Sequence, residues 1–207
     1  MAGIFKTGSL RAAVLTIGLA GCAAAQRHEL GLTLGSVLAQ DRGPAATSLN
    51  LGSGTALQVD YAHQIVRGNR YVALYGDIVF MANPQRVVAS TIRTAIRDVA
   101  SLYLVPGVKI KFVPDGKVSP WFSIGAGYSL YEHATSLLSG AVSPVGRHLN
   151  RGTIGYGGGL DWKVWRNISL RAEARDFYSG PPAYNVAGTA GGQHNQVAGG
   201  GIVLRFK

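Results

Sequence analysis

Ile168-Ser169-Leu170-Arg171-Ala172-Glu173-Ala174-Arg175 alternates apolar and polar side chains with a period of two. An extended strand sends successive side chains to opposite faces. One face of this octad carries Ile168, Leu170, Ala172 and Ala174; the other carries Ser169, Arg171, Glu173 and Arg175. The fold turns on which face meets protein, water or lipid.

The same period recurs along the chain. Leu30, Leu32 and Leu34 oppose Gly31, Thr33 and Gly35; Leu57, Val59 and Tyr61 oppose Gln58, Asp60 and Ala62. Val72, Leu74, Ile78 and Phe80 oppose Ala73, Tyr75 and Asp77; Val108, Ile110 and Phe112 oppose Lys109 and Lys111. Phe122, Ile124, Ala126, Tyr128 and Leu130 oppose Ser123, Gly125, Gly127 and Ser129. In 152–165, Ile154, Tyr156, Leu160, Trp162 and Val164 oppose Gly155, Gly157, Gly159, Asp161 and Lys163. With the opening stretch and 195–206, whose Ala198, Ile202, Leu204 and Phe206 share a face, eight strands are predicted. Residues 84–98 read two ways. Val88, Ile92, Ile96 and Val99 have near-helical spacing, with Arg86, Arg93 and Arg97 elsewhere, but a continued strand fits as well.

The links alternate in length. Turn chemistry stands at 66–70, 114–117 and 166–167; longer Gly-, Pro- and Asn-bearing links stand at about 37–53, 81–99, 132–151 and 179–194. An up-and-down meander with short turns at one end and long loops at the other follows. Closing it into an eight-stranded antiparallel barrel removes the exposed edges.

Composition narrows the kind of barrel. Of 207 residues, 47% are hydrophobic and only 14% charged, with 29 glycines; soluble domains carry about 25% charge. Residues 1–25 read as an export signal, with Lys6 and Arg11 before an apolar run and Ala23-Ala24-Ala25 as cleavage site, leaving 26–207 as the barrel domain. Leu19-Ala20-Gly21-Cys22 also resembles a lipobox, which would lipidate the chain's single cysteine; ordinary cleavage after Ala25 is favoured. Loss of the leader takes two bases and no acids, reducing the net charge from +10 to +8. The charges are scattered, which suits an anionic, lipopolysaccharide-like surface better than nucleic acid. No later apolar run is long enough for a membrane helix, which leaves barrel strands open.

The polar faces decide the sidedness. Ser123, Gly125, Gly127, Ser129, Gly155, Gly157 and Gly159 are small, while the faces of neighbouring strands carry long ions. Small residues make room for long ones inside a narrow lumen, whereas glycine only weakens a solvent-exposed strand face. We therefore expect a structural charge network in the lumen, of Asp60, Asp77, Lys109, Lys111, Asp161, Lys163, Arg171, Glu173, Arg175 and Arg205, with apolar residues facing lipid. Tyr61, Phe80, Phe112, Phe122, Tyr128 and Trp162 are expected as aromatic girdles on the outer face.

Four segments carry a family likeness: 120–128 (PWFSIGAGY), 155–161 (GYGGGLD), 170–178 (LRAEARDFY) and 199–206 (GGGIVLRF). Through them residues 27–207 resemble the small bacterial outer-membrane β-barrel family, in its eight-stranded OmpA- or OmpW-like form. The resemblance implies an all-β, up-and-down transmembrane barrel in the outer membrane of a Gram-negative-type bacterium. It further implies partners in outer-membrane lipid and lipopolysaccharide, and in the outer-membrane assembly machinery through the closing strand. Lys207 after Phe206 departs from the family's aromatic ending.

Catalytic signals are sparse. Glu132-His133-Ala134-Thr135-Ser136 places His beside a carboxylate and hydroxyls, but lacks the His-x-Ser of the lipid A deacylases. His133, His148 and His194 fall in different long links without metal-ligand spacing, and 155–160 lacks the helix of a dinucleotide loop. The expectation is a monomeric, non-enzymatic barrel with no cofactor, metal or nucleic acid. Its role is structural or one of surface contact and adhesion; a narrow porin-like channel is the first alternative, and a lipid A-modifying enzyme the second.

Overall fold

The computed structural model describes residues 28–39, 49–186 and 191–207. Residues 1–25, read above as an export signal, Cys22 within them and parts of two long links lie outside the described residues.

Nine strands follow one another without a helix among the described residues: β1 (His28–Ala39), β2 (Leu49–Leu51), β3 (Gly54–Arg67), β4 (Val72–Ser90), β5 (Asp98–Phe112), β6 (Val118–His133), β7 (His148–Lys163), β8 (Ile168–Ser179) and β9 (Gln193–Phe206). Eight of them, β1 and β3 to β9, pair antiparallel with their chain neighbours, and β9 returns to β1 to close the ring. The eight-stranded up-and-down barrel expected from the alternation is the observed fold.

The register fixes the barrel's width. Hydrogen-bonded neighbours of His28 run through His63, Gly76, Val108, Ile124, Tyr156 and Asp176 to Gln196, whereas His28 itself pairs with Phe206 on its other side. That stagger of ten residues, for eight strands ~4.8 Å apart rising ~3.3 Å per residue, tilts the strands by about 40°. An eight-stranded interior is just wide enough for side chains to fill.

Two features of the long links go beyond the eight predicted stretches. β4 runs on to Ser90, so 84–90 is strand and the helical reading of 84–98 is excluded. The register of β4 against β5 shifts between Asn83 and Arg86, around Pro84, which has no amide proton for the ladder. The exposed Val87 and buried Val88 show period two where sequence spacing also allowed a helix. β2, absent from the eight predicted stretches, pairs its three residues with Val88, Ala89 and Ser90 and covers the extension. The short connections follow their turn chemistry: Asn69 Oδ1 accepts the backbone N–H groups of Tyr71 and Val72, at 2.7 and 3.1 Å.

Burial alternates in the inverted sense. Lys109 and Lys111 are fully buried, while Val108, Ile110 and Phe112 between and beside them are exposed. The six aromatics expected on the outer face are all exposed there. Glycine makes room for the inner polar groups. A Cβ on Gly31 would collide with the Asp60 carboxylate and stand 3.0 Å from Arg171 Nη1. One on Gly159 would strike the Ala172 carbonyl and lie 2.7 Å from the Trp121 ring. Gly159→Ala should therefore cost about 1–3 kcal/mol of folding stability by overpacking. Gly152→Ala, where a Cβ meets nothing within 4 Å, should change it by no more than about 0.5 kcal/mol. Urea titration of the folded band in lipid vesicles measures both, and equal effects would contradict the packing argument.

Candidate functional site: a filled lumen

The lower lumen, toward the short turns, holds ten ionised side chains from seven strands. Five carboxylates, Glu29, Asp60, Asp77, Asp161 and Glu173, face five cations, Lys109, Lys111, Arg171, Arg175 and Arg205. The set is neutral, as a buried network must be to offset the desolvation of its members.

Arg171 is its hub. Its Nε and Nη2 donate to the two Asp161 oxygens at 2.7 and 3.1 Å, and Nη1 donates to Asp60 at 2.8 Å. A planar guanidinium suits this fork geometry; an ammonium does not. Lys109 bridges Asp60 and Asp77 at 3.0 and 2.8 Å, and Lys111 bridges Glu29 and Asp161 at 2.6 and 2.5 Å. Arg175 reaches Glu173 at 3.3 Å and donates to Ser123 Oγ at 2.7 Å. Gln58 donates to the other Glu173 oxygen at 2.5 Å. Arg205 pairs with Glu29 at 3.2 Å and donates to the Pro114 carbonyl at 3.0 Å, joining the network to a turn.

Trp121 stands in the middle. Its indole N–H donates to Asp161 at 3.2 Å, and the Arg171 and Arg175 guanidinium carbons each lie 4.8 Å from its ring centroid, with Lys109 Nζ at 5.1 Å. The ring face gives three cations a second attractive surface without adding charge.

Nine of the ten residues expected in the network are brought together. Lys163, at the last residue of β7, is half-buried and takes no part in the ion pairs given above. Sequence reading passed over Glu29, Gln58 as an ion partner, and Trp121. Parity contains the signal for Glu29 and Trp121: Glu29 shares the face of Gly31 and Thr33, and Trp121 that of Ser123 and Gly125.

Above the ions the lumen changes character. Val79, Met81, Val105, Phe177 and Val197 form an apolar waist. A cavity of about 10 Å³ beside Asp77, Ser123 and Arg175 is too small for anything larger than water. Farther toward the long loops comes a layer of polar groups. Both Arg86 Nη atoms donate to Asn195 Oδ1 at 3.2 and 3.1 Å; Tyr184 donates to Gln193 at 2.6 Å; Tyr131 contacts the hydroxyls of Tyr103 and Ser179 at 3.1 and 2.5 Å. Ile96, Leu137 and Tyr184 then fold in from the loops and extend the apolar cluster over the mouth.

The His133 segment does not assemble as a catalytic set. Glu132 faces outward and pairs with Arg147 at 2.6 Å, while His133 faces inward and donates from Nδ1 to the Gly146 carbonyl at 3.0 Å. His194 lies elsewhere, 2.5 Å from Asp176. Among the described residues no three His, Cys, Asp or Glu side chains converge as metal ligands.

The sequence matches no protein-family model and no curated protein. Solved structures share its architecture. Neisserial surface protein A aligns over 89% of this chain and 100% of its own, at 14% identity and a TM-score of 0.53. OprG, an outer membrane protein from Pseudomonas aeruginosa, aligns over 87% and 96%, at 11% identity and a TM-score of 0.53. Ail, the attachment invasion locus protein of Yersinia pestis, in complex with the heparin analogue sucrose octasulfate, aligns over 87% and 99%, at 14% identity and a TM-score of 0.50. The chain has the OmpA/OmpW-like fold of the small outer-membrane barrels.

Two expectations follow. Arg171→Met should cost about 3–5 kcal/mol, because it strands buried carboxylates. The neutral double variant Asp60→Asn/Arg171→Met should recover a large part of that loss, and urea titration in vesicles reads the coupling. The second concerns pH. Burial pushes the His133 imidazole below its ordinary range, against the opposing pull of the Gly146 carbonyl. The unfolded state then binds the proton more readily, so this contribution to stability is present above about pH 6.5 and shrinks as pH falls. Proteolysis within 134–147 should speed up on acidification below that pH, and His133→Gln should remove the dependence.

Proposed function

We propose that this chain is an integral outer-membrane barrel of a Gram-negative-type bacterium that works at its rims, as a surface-contact and membrane-integrity protein, with a closed lumen. The observation that carries this reading is the filling of the lumen from turn to mouth by ions, apolar waist, polar layer and loop cap. A solute path would require buried ion pairs to part, and separating them there is expensive.

The outer surface supports the membrane placement. A soluble barrel buries its apolar residues; this one exposes Leu32, Leu34, Leu104, Ile124, Leu160, Trp162 and Ile202. Such a band, with Tyr61, Phe112, Tyr128 and Trp162 among its aromatics, matches a hydrocarbon layer and its interfaces. Export by residues 1–25 and assembly through β9 belong to the same reading.

Charge indicates what the rims contact. The lumen network is neutral, so the whole excess of +8 left after removal of the leader lies outside it. Exposed Arg93, Arg97 and Arg147 stand at the long-loop end, and Lys117 and Arg166 at the turn end. On the outside these suit clustered phosphates or sulfates, as on lipopolysaccharide or a sulfated glycan. The structure of Ail with a heparin analogue offers a parallel on the same fold.

The test combines three readouts on one preparation. The protein should fractionate with the outer membrane as a heat-modifiable band, remain silent in a planar bilayer, and bind lipopolysaccharide vesicles or immobilised heparin in a salt-sensitive manner. Substituting Arg93, Arg97 and Arg147 by Ala should weaken that binding at least tenfold without altering the folded band. Steady conductance by the native chain would favour the channel reading, and recovery in the soluble periplasm would overturn the placement.

A further inference from the structure

At the short-turn rim of the outer wall, three side chains from adjacent strands converge. His28 Nδ1 lies 2.6 Å from Tyr61 Oη and 3.3 Å from His63 Nδ1. Their neighbours Glu29 and Ala62 face the lumen, so His28, Tyr61 and His63 face outward. His28 and His63 are direct cross-strand partners, and the His28 ring stacks on Phe206 at 5.4 Å and 12°. Pairing places such residues with their Cβ atoms about 5 Å apart on one face. The approach of the two rings is thus built into the register.

Hydrogen bonding alone serves this arrangement poorly. A ring nitrogen carries one proton or one lone pair. His28 Nδ1 can therefore satisfy the phenol or the second imidazole, but not both fully. A cation satisfies both nitrogens through their lone pairs. Two ligands of one tetrahedral zinc ion, each with a Zn–N bond of about 2.05 Å, stand about 3.3 Å apart. The two Nδ1 atoms stand 3.3 Å apart.

We propose that His28 and His63 form a site for a divalent transition metal of the zinc class, with water completing the shell; the Tyr61 phenol, 2.6 Å from His28 Nδ1 and so nearer than two ligands of one tetrahedral ion stand, gives up its hydrogen bond to that nitrogen when the ion binds. Two imidazoles select zinc, copper or nickel over calcium and magnesium, which take oxygen ligands. The site lies at the edge of the apolar band, where the ion can arrive from water. It would cross-link β1 to β3. Because β1 also pairs with β9, the link falls beside the seam where the ring closes. An ion held by the folded chain and not by the unfolded one stabilises the barrel by mass action.

The experiment uses the full folded chain without an affinity tag, in detergent micelles, titrated with zinc chloride alone. Calorimetry should show one zinc per chain. His63→Ala should lower the affinity at least tenfold, while His148→Gln and His194→Gln, at the opposite rim, should leave it unchanged. The urea midpoint should rise with zinc in the native chain and not in His63→Ala, whose unaltered heat-modifiable band certifies folding. His28→Gln/His63→Gln supplies the decisive comparison, and it should abolish the stoichiometric binding. Absence of that binding in the native chain, or its survival at native affinity in the double variant, would reduce the site to an adventitious ion and overturn the proposal.

Discussion

The structure depends on a charge balance held in a buried, closely filled space. Ten ions share the lower lumen, and each cation there contacts at least one carboxylate. Removing water from an isolated ion is prohibitive, so such a lumen forms only when charge, reach and hydrogen bonding close together. Arg171 shows how closely they are matched. Its fork takes Asp161 from the neighbouring strand and Asp60 from across the barrel. Gly31 and Gly159 provide the volume for this by withholding side chains. Trp121 fills the centre with a surface that attracts cations and also donates to a carboxylate.

That interior explains the inverted wall. Once the polar residues of each strand are committed to the lumen, the alternation of a strand commits Leu, Ile, Phe and Trp to the outside. The lumen and the apolar band are two consequences of one periodicity. Register locks them together: a slip of one residue would turn every ion outward and every apolar side chain inward. The network therefore specifies strand pairing as well as filling the space.

Much of this was legible in the sequence because period two is a local signal. Parity alone placed Lys109, Lys111, Asp161, Arg171 and Glu173 on one side of the wall. It carried Glu29 and Trp121 as well, yet a residue at the very start of a strand and an aromatic among small residues show their parity least. Parity failed for Lys163 because a face does not fix a height. At the end of β7 that side chain is beyond the ion pairs, and only the stagger of the ring, a non-local quantity, determines this. The long links were the least legible. β2 has three residues, too few for a period, and it exists because β4 overshoots the barrel and needs a partner. The inward folding of Ile96, Leu137 and Tyr184 depends on contacts among separate loops, which no window of sequence contains.

A lumen closed in this way moves function to the places where the periodicity ends. At the mouth, loops supply exposed arginines above an apolar cap. At the turn end the wall itself carries imidazoles where apolar residues would prolong the band. His28 sits where β1 meets both β3 and β9, against His63 on one side and Phe206 on the other. Histidine adds little to the apolar band, and with its phenyl and phenol neighbours it makes a small aromatic corner at the seam of closure. An eight-stranded ring has one such seam, between its first and last strands, and it is the pairing with the longest sequence separation. Interactions that gather there act on the step in which the sheet becomes a barrel, which gives the corner a leverage on stability that the same contacts within a hairpin would lack.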